Sequence, residues 1–317
     1  MSGEKLFIGI DTSCYTTSIA AMCGDRVVSL KKPLEVKVGE CGLRQSEAFF
    51  QHSKNLPVLF DELNEILNIK DFKDITVTVS SKPRNVEGSY MPVFTAGQGY
   101  AKVIKDVTGA KYFETSHQDG HIMAAIYSCK KYSMIEAPFL TYHISGGTTE
   151  LLLTKKVGDG FECRIVGGTM DLPAGQFVDR IGVKAGFPFP AGRFMDFSAC
   201  NFRHKLPKVK TSVKDGHINF SGEETRYSRA LEKGEDKDLI AACTMKCISE
   251  SIKKSVLFAK EKYGVENVLM IGGVSSSKFM RNEFSDISGV FFASGDLSCD
   301  NAVGVCLMGK VKKGELL

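Results

Sequence analysis

Apolar and polar positions along the chain set out an alternation of strands and helices, and the alternation starts twice. Phe7-Ile8-Gly9-Ile10 is apolar, Asp11-Thr12-Ser13-Cys14-Tyr15-Thr16-Thr17 is polar, and Ser18-Ile19-Ala20-Ala21-Met22 is again apolar. This reads as strand, turn, strand. Phe49, Phe50, Leu56, Leu59, Leu63 and Leu67 recur at roughly helical spacing and predict a helix over 46–67. A strand over 74–80, a helix over 97–107 and a short strand over 110–113 follow, and His117 opens a further helix. Near Pro138 the pattern restarts with a strand over 139–144, a turn over 145–149 and a strand over 150–153. Helices are predicted over 174–185 and 239–263, a strand over 268–271, a helix from Phe279, and a closing helix over 301–312. Residues 188–192 form a Pro/Gly-rich turn, and 201–216 is basic without periodicity.

Two α/β halves, each opening with a hairpin whose turn is rich in Gly, Ser and Thr, predict a duplicated ribonuclease-H-like α/β fold in two lobes. The expected division is 1–134 and 135–317, with the last helix packing back on the first lobe. Such folds clamp a nucleotide, with turn N–H groups aimed at phosphate.

Composition narrows the class only modestly. With 317 residues, 43% hydrophobic and 25% charged, the chain has ample material for a core. A net charge of +4 permits an anionic partner without requiring one. Ten scattered cysteines include no Cys-x-x-Cys, so a structural zinc ribbon is not expected. No secretory leader or membrane-length apolar run is read, and reduced thiols in a cytoplasmic protein are the simplest account. Cys243 and Cys247 share a helical face with isoleucines and read as core.

His117-Gln118-Asp119-Gly120-His121 carries the candidate chemistry. Two of the six histidines stand four positions apart, on one face if the segment is helical. They can chelate one divalent metal, or be a solvated helix start or packed core histidines. A zinc protease would need a glutamate where Gln118 and Gly120 stand, and Asp119 does not project to replace it. Asp300 is a candidate third ligand in a two-His, one-carboxylate set suited to Fe or Zn; its alternative is a helix N-cap. Ser145-Gly146-Gly147-Thr148-Thr149 is a phosphate cradle or a plain hairpin turn. Gly272-Gly273-Val274-Ser275-Ser276-Ser277 is a turn of the kind that holds ribose or adenine, and matches neither a P-loop nor GxGxxG.

In order and spacing these motifs resemble the catalytic subunit family of the tRNA threonylcarbamoyladenosine synthase, formerly the O-sialoglycoprotein endopeptidases. The likeness runs through residues 9–14, the histidine motif, Ile144–Leu151, Ala174–Asp179, Phe189–Gly192, Asn219–Gly222, Gly272–Ser275 and Cys299–Ala302. The resemblance implies an actin/Hsp70-like two-lobe fold, with one Fe or Zn ion on His117, His121 and Asp300. It implies an adenylate substrate, threonylcarbamoyl-AMP (or ATP/ADP), on Ile144, Ser145, Gly146, Gly147, Thr148, Asp179, Gly192, Asp196 and Ser277, with Asp11 as the catalytic acid of the opening turn. It also implies transfer of the threonylcarbamoyl group to the N6 amine of the tRNA adenosine beside the anticodon, and a paralogous partner subunit. The basic residues Arg203 to Lys214 could meet tRNA phosphates, although a solvated loop is the plainer reading.

The chain departs from the family pattern at the site. Tyr15 and Thr16 stand where the family has Asp-Glu, Asp11 where it has Glu, Thr148 where it has His, Ser277 where it has Asn, and Glu223-Glu224 where it has Leu-Lys. Three readings follow: a divergent threonylcarbamoyl transferase, a paralogue serving another acceptor, or a non-catalytic nucleotide-binding regulatory subunit.

Overall fold

In the computed structural model the described residues are 5–13, 15–36, 43–297 and 302–315, so Cys14, Cys299, Asp300 and Asn301 lie outside them. In chain order the elements are β1 (Lys5–Ser13), β2 (Thr16–Cys23), β3 (Arg26–Pro33), α1 (Gln45–Leu67), β4 (Asp74–Lys82), α2 (Phe94–Thr108), β5 (Lys111–Ser116), α3 (His117–Cys129), β6 (Phe139–Ile144), β7 (Thr149–Val157), β8 (Gly160–Thr169), α4 (Ala174–Lys184), α5 (Gly192–Asn201), β9 (Ser212–Lys214), β10 (His217–Asn219), α6 (Ser221–Glu232), α7 (Lys237–Tyr263), β11 (Val268–Ile271), α8 (Lys278–Glu283), β12 (Val290–Phe292) and α9 (Val303–Lys312). They form two compact units: residues 1–132 with 156–162 and 299–317, and residues 133–155 with 163–298. No helix among the described residues is long and apolar enough to cross a membrane.

The first unit holds a five-stranded sheet in the order β3-β2-β1-β4-β5. β1 is antiparallel to β2 and parallel to β4, and β4 is parallel to β5. Successive side chains of a strand point to opposite faces. In β1, Leu6, Ile8 and Ile10 join Leu56, Leu59 and Leu63 of α1 in one core. The opposite face receives α9: a Cβ on Gly9 would lie 2.5 Å from the Ala302 carbonyl oxygen and from the Cys306 nitrogen. Helices α3 and α9 also meet closely, since a Cβ on Gly304 would lie 1.7 Å from the Gly120 carbonyl oxygen. Asp11 falls on the same odd-numbered face as Gly9.

The second unit repeats the order. Its seven-stranded sheet runs β12-β11-β6-β7-β8-β10-β9, so β8-β7-β6-β11-β12 mirrors the first sheet strand for strand. β6 is antiparallel to β7 and parallel to β11. The core gathers around α7, with Ile240, Cys243, Cys247, Ile248, Ile252 and Val256 buried. The duplicated α/β fold expected from the two hairpin openings is the fold observed.

Two local expectations change. The polar stretch 11–17 is not mainly a turn, because β1 runs to Ser13 and β2 resumes at Thr16. Asp11, Thr12, Thr17 and Ser18 are buried there, and their side chains hydrogen-bond within the fold. Helix α6, unassigned from the sequence, has Tyr227 as its one buried residue, so it carries no apolar stripe to read.

The helix crossing yields a prediction. Gly304→Ala forces a methyl group into the Gly120 carbonyl, and overpacking of this kind costs about 1–3 kcal/mol or more. Gly99→Ala, where a Cβ meets nothing within 4 Å, should be neutral or stabilising by up to about 1 kcal/mol. Thermal denaturation of the two variants checks this; an unchanged melting temperature for Gly304→Ala would contradict the close crossing.

Candidate functional site

The histidine motif lies at the start of α3, and each of its residues has a distinct task. Ser116 is the N-cap: its hydroxyl accepts from the Asp119 backbone N–H at 3.0 Å, and the Asp119 carboxylate accepts from the Ser116 N–H at 3.3 Å. This is a capping box, which the Ser-x-x-Asp spacing itself signals. Asp119 also accepts from Asn85 Nδ2 (2.6 Å), Thr115 Oγ1 (3.0 Å) and the Phe161 N–H (3.1 Å), so the acid of the motif is structural. Gly120 allows α9 to approach. His117 and His121 then project from successive turns, with ring centroids 4.4 Å apart and planes at 81°.

Behind His117 stands Asp11. The His117 Nδ1 lies 3.1 Å from each carboxylate oxygen of Asp11, which is fully buried. Ser13 Oγ donates to the same carboxylate at 2.9 Å, and Ser80 Oγ donates to its other oxygen. An ionised carboxylate only accepts, so Nδ1 is the donor, and in the neutral ring the His117 Nε2 presents a lone pair. That Nε2 is 2.9 Å from Nε2 of His121. Two imidazole nitrogens at this separation are held by one shared proton or by one cation. Two nitrogen ligands bonded to a single ion at about 2.0–2.1 Å stand roughly 2.9–3.4 Å apart, so the pair fits a metal, and a carboxylate on the far ring nitrogen is the usual support for a ligating histidine. Among the described residues no group of three or more His, Cys, Asp or Glu side chains is gathered for a metal ion. The expected third ligand, Asp300, is outside them.

A second polar pair lies deeper in the same unit. His52 of α1 is fully buried, with its Nδ1 2.9 Å from Thr17 Oγ1, to which Asn55 Nδ2 donates at 3.2 Å. The sequence reading passed over it because it sits among the leucines of α1.

The nucleotide-type residues gather in the second unit around a cavity of about 580 Å³, a size that suits a nucleotide-scale ligand. Gly146, Asp179, Gly192, Asp196 and Ser277 line it. Ile144 is fully buried, and Ser145, Gly147 and Thr148 are not among the lining residues. The glycines divide into two kinds. A Cβ on Gly175 would lie 2.6 Å from the Ser145 carbonyl oxygen, and one on Gly272 2.4 Å from that of Ile144, so both are demanded by packing. A Cβ on Gly146, Gly147 or Gly273 would meet nothing within 4 Å, so these leave open space. Asp179 Oδ1 accepts from the Ala191 N–H at 2.8 Å. Asp196 joins α5 to the first turn of α8, accepting from Ser277 Oγ (2.5 Å), Lys278 N (3.1 Å) and Phe279 N (3.0 Å). Arg193, Phe197, Cys200 and Asn201 complete the α5 wall and were missed, because α5 lies between a Pro-rich turn and a patternless basic run.

The departures from the family pattern also have places. Tyr15, at the tip of the β1–β2 hairpin, is 49% exposed. Glu223 and Glu224 lie in the first turn of α6, where acids complement the helix dipole, and Glu223 pairs with Arg226.

Known proteins resemble this chain in sequence and in fold. The family model TsaD, tRNA N6-adenosine threonylcarbamoyltransferase, matches residues 6–305. A relative of that name from Sulfurihydrogenibium sp. (strain YO3AOP1) is 29% identical, with 95% of this chain and 89% of the relative covered. One from Mycoplasmopsis synoviae (strain 53) is 25% identical, covering 98% and 100%. Among solved structures, full-length HypF in the phosphate- and nucleotide-bound form has a TM-score of 0.57 at 12% identity, over 99% of this chain and 47% of that one. The activator of the 2-hydroxyisocaproyl-CoA dehydratase from Clostridium difficile, with bound ADPNP, has a TM-score of 0.51 at 14% identity, over 98% and 97%. At these identities the structural likeness establishes the fold alone.

Burial holds the pKa of His52 below the ordinary imidazole value of 6.5. The unfolded chain therefore binds a proton that the folded chain does not, and stability falls as pH is lowered through about 6.5. His52→Gln should flatten that fall between about pH 7 and 5 in urea midpoints. Parallel losses in variant and wild type would show that His52 contributes nothing to it.

Proposed function

We propose that this chain, which belongs to the tRNA N6-adenosine threonylcarbamoyltransferase family, binds a threonylcarbamoyl adenylate and one divalent metal and transfers the threonylcarbamoyl group to N6 of a tRNA adenosine beside the anticodon. The observation that carries the proposal is the convergence of the His117 and His121 Nε2 atoms at 2.9 Å, with the Asp11 carboxylate behind His117. It is joined by a cavity of nucleotide size lined by residues of the adenylate motifs.

In this reading the cavity of the second unit takes the AMP part of the substrate. Gly146 and Gly273 leave room for the backbone to approach it, and Asp179 and Asp196 offer carboxylate oxygens to ribose hydroxyls. His117, His121 and Asp300 would hold Fe or Zn, and a bound ion would supply Lewis-acid chemistry. Asp11 acts through His117: it fixes the tautomer and orientation that leave Nε2 available. The adenine N6 amine attacks the carbamoyl carbon, the bond from that carbon to the phosphate oxygen breaks, and AMP and a proton leave. An exocyclic adenine amine is a weak nucleophile, so positioning of the two substrates supplies much of the rate. A paralogous partner subunit belongs to the same proposal; α1 and α2 expose Phe50, Val58, Val103 and Val107 as apolar surface that such a subunit could cover.

A second reading keeps the donor and changes the acceptor. It rests on Tyr15, half exposed at the hairpin tip where the family carries an acid. A third keeps only the nucleotide and makes the chain a regulatory subunit.

The deciding experiment incubates the purified chain and its partner proteins with threonylcarbamoyl-AMP and unmodified tRNA, then digests the RNA for mass spectrometry. Threonylcarbamoylated adenosine is expected. Metal-loaded protein that forms none would sink the tRNA acceptor, and nucleotide binding with no transfer to any amine would leave the regulatory reading. Separately, a His117→Ala/His121→Ala protein should lose its stoichiometric metal in elemental analysis; full retention would refute the ligand assignment.

A further inference from the structure

Helix α5 has a second wall. Beside the adenylate cavity, Phe194, Phe197 and Asn201 face a cleft of about 470 Å³, closed by Phe187, Phe202 and Lys237. Phe197 and Asn201 line both spaces, so α5 forms a wall of each. Five of the 21 phenylalanines of the chain, Phe187, Phe189, Phe194, Phe197 and Phe202, fall within residues 187–202. Phe189 and Phe197 are 74% and 72% exposed, an unusual expense of aromatic surface in water.

The rings are ordered and interleaved with cations. Phe187 and Phe194 stack at 6.3 Å with planes 6° apart, and Phe202 meets His204 edge-on at 5.6 Å. The Arg193 guanidinium lies 4.5 Å from the Phe194 centroid, and the Lys237 ammonium 5.3 Å from that of Phe187. Arg203 lies in the cleft wall, and exposed Lys205 and Lys208 follow it in the chain. Two acids are present: Asp236 caps α7, accepting from the Asp238 N–H at 3.0 Å, and Asp238 accepts from Ser198 at 2.5 Å. They are unsuited to phosphate but can accept from exocyclic base amines.

Aromatic faces alternating with Arg and Lys suit unpaired nucleotides, whose bases stack while their phosphates meet the cations. A contact made for an apolar protein surface would instead be depleted of charge at its centre. We propose that this cleft is a stacking platform for unpaired bases of an RNA loop, with the phosphate backbone running along Arg203, Lys205 and Lys208. The inference rests on the tRNA acceptor proposed above and assigns its loop a place on the second unit.

The test is fluorescence anisotropy of the full chain with an unmodified RNA stem-loop and, in parallel, a blunt duplex made from the same stem. Phe197 is exposed, so Phe197→Ala should fold, and circular dichroism confirms that it does. Loop binding should weaken by about 5- to 100-fold in Phe197→Ala, while Phe197→Trp keeps or improves it and duplex binding hardly changes. Arg203→Ala should lower the salt dependence of loop binding by about one unit of slope. Wild-type affinity in Phe197→Ala, or equal loss on loop and duplex, would overturn the platform and leave the rings to a protein contact. A wild-type chain that binds no RNA sinks the acceptor and the platform together. Product formation in the transfer assay alongside unimpaired loop binding by Phe197→Ala sinks the platform alone.

Discussion

The contact between Asp11 and His117 is the constraint on which the first site depends. A carboxylate with no exposure is costly unless its charge is met by hydrogen bonds, and Asp11 is met by Ser13, Ser80 and His117. Ser13 of β1 and Ser80 of β4 are polar residues that serve this need inside the sheet. The contact also fixes the proton of His117 on Nδ1 and turns its Nε2 toward His121. The capping box of Ser116 and Asp119 sets where α3 begins, and therefore where both imidazoles point. The glycine crossing with α9 sets how close that helix lies to the sheet.

The second unit solves a different problem with the same sheet order. Its glycines at 175 and 272 are fixed by contacts of the fold itself, whereas those at 146, 147 and 273 face open space. A binding surface needs both kinds: close packing to hold the loops, and absent side chains where a ligand must approach. Asp196 spans α5 and α8 and thereby shapes one wall of the cavity. Ser277, in place of the family's asparagine, serves the same junction through its hydroxyl and caps α8.

Much of this was legible in the chain, for identifiable reasons. The two hairpin openings at 7–22 and 139–153 announce the duplicated fold because in each a Ser/Thr-rich polar stretch separates two apolar strand segments. The His117/His121 pair is legible because helical spacing is local. Asp11 as the partner of His117 is not, because 106 positions separate them and only the β1–β4–β5 pairing and the start of α3 bring them together. The capping role of Asp119 was open to reading from Ser116, and was overlooked in favour of its place inside the histidine motif. Helices α5 and α6 were hidden for another reason: α5 spends its aromatic residues on exposed and cavity-lining positions, and α6 buries one side chain.

The central claim is that Asp11 prepares His117 to hold a metal. It is tested most directly by titrating zinc against a chromogenic chelator in the wild-type chain and in Asp11→Asn, which keeps both imidazoles and nearly the same volume. The account predicts a metal affinity weaker by about 10- to 100-fold in the variant. Equal affinity in the two proteins would contradict it.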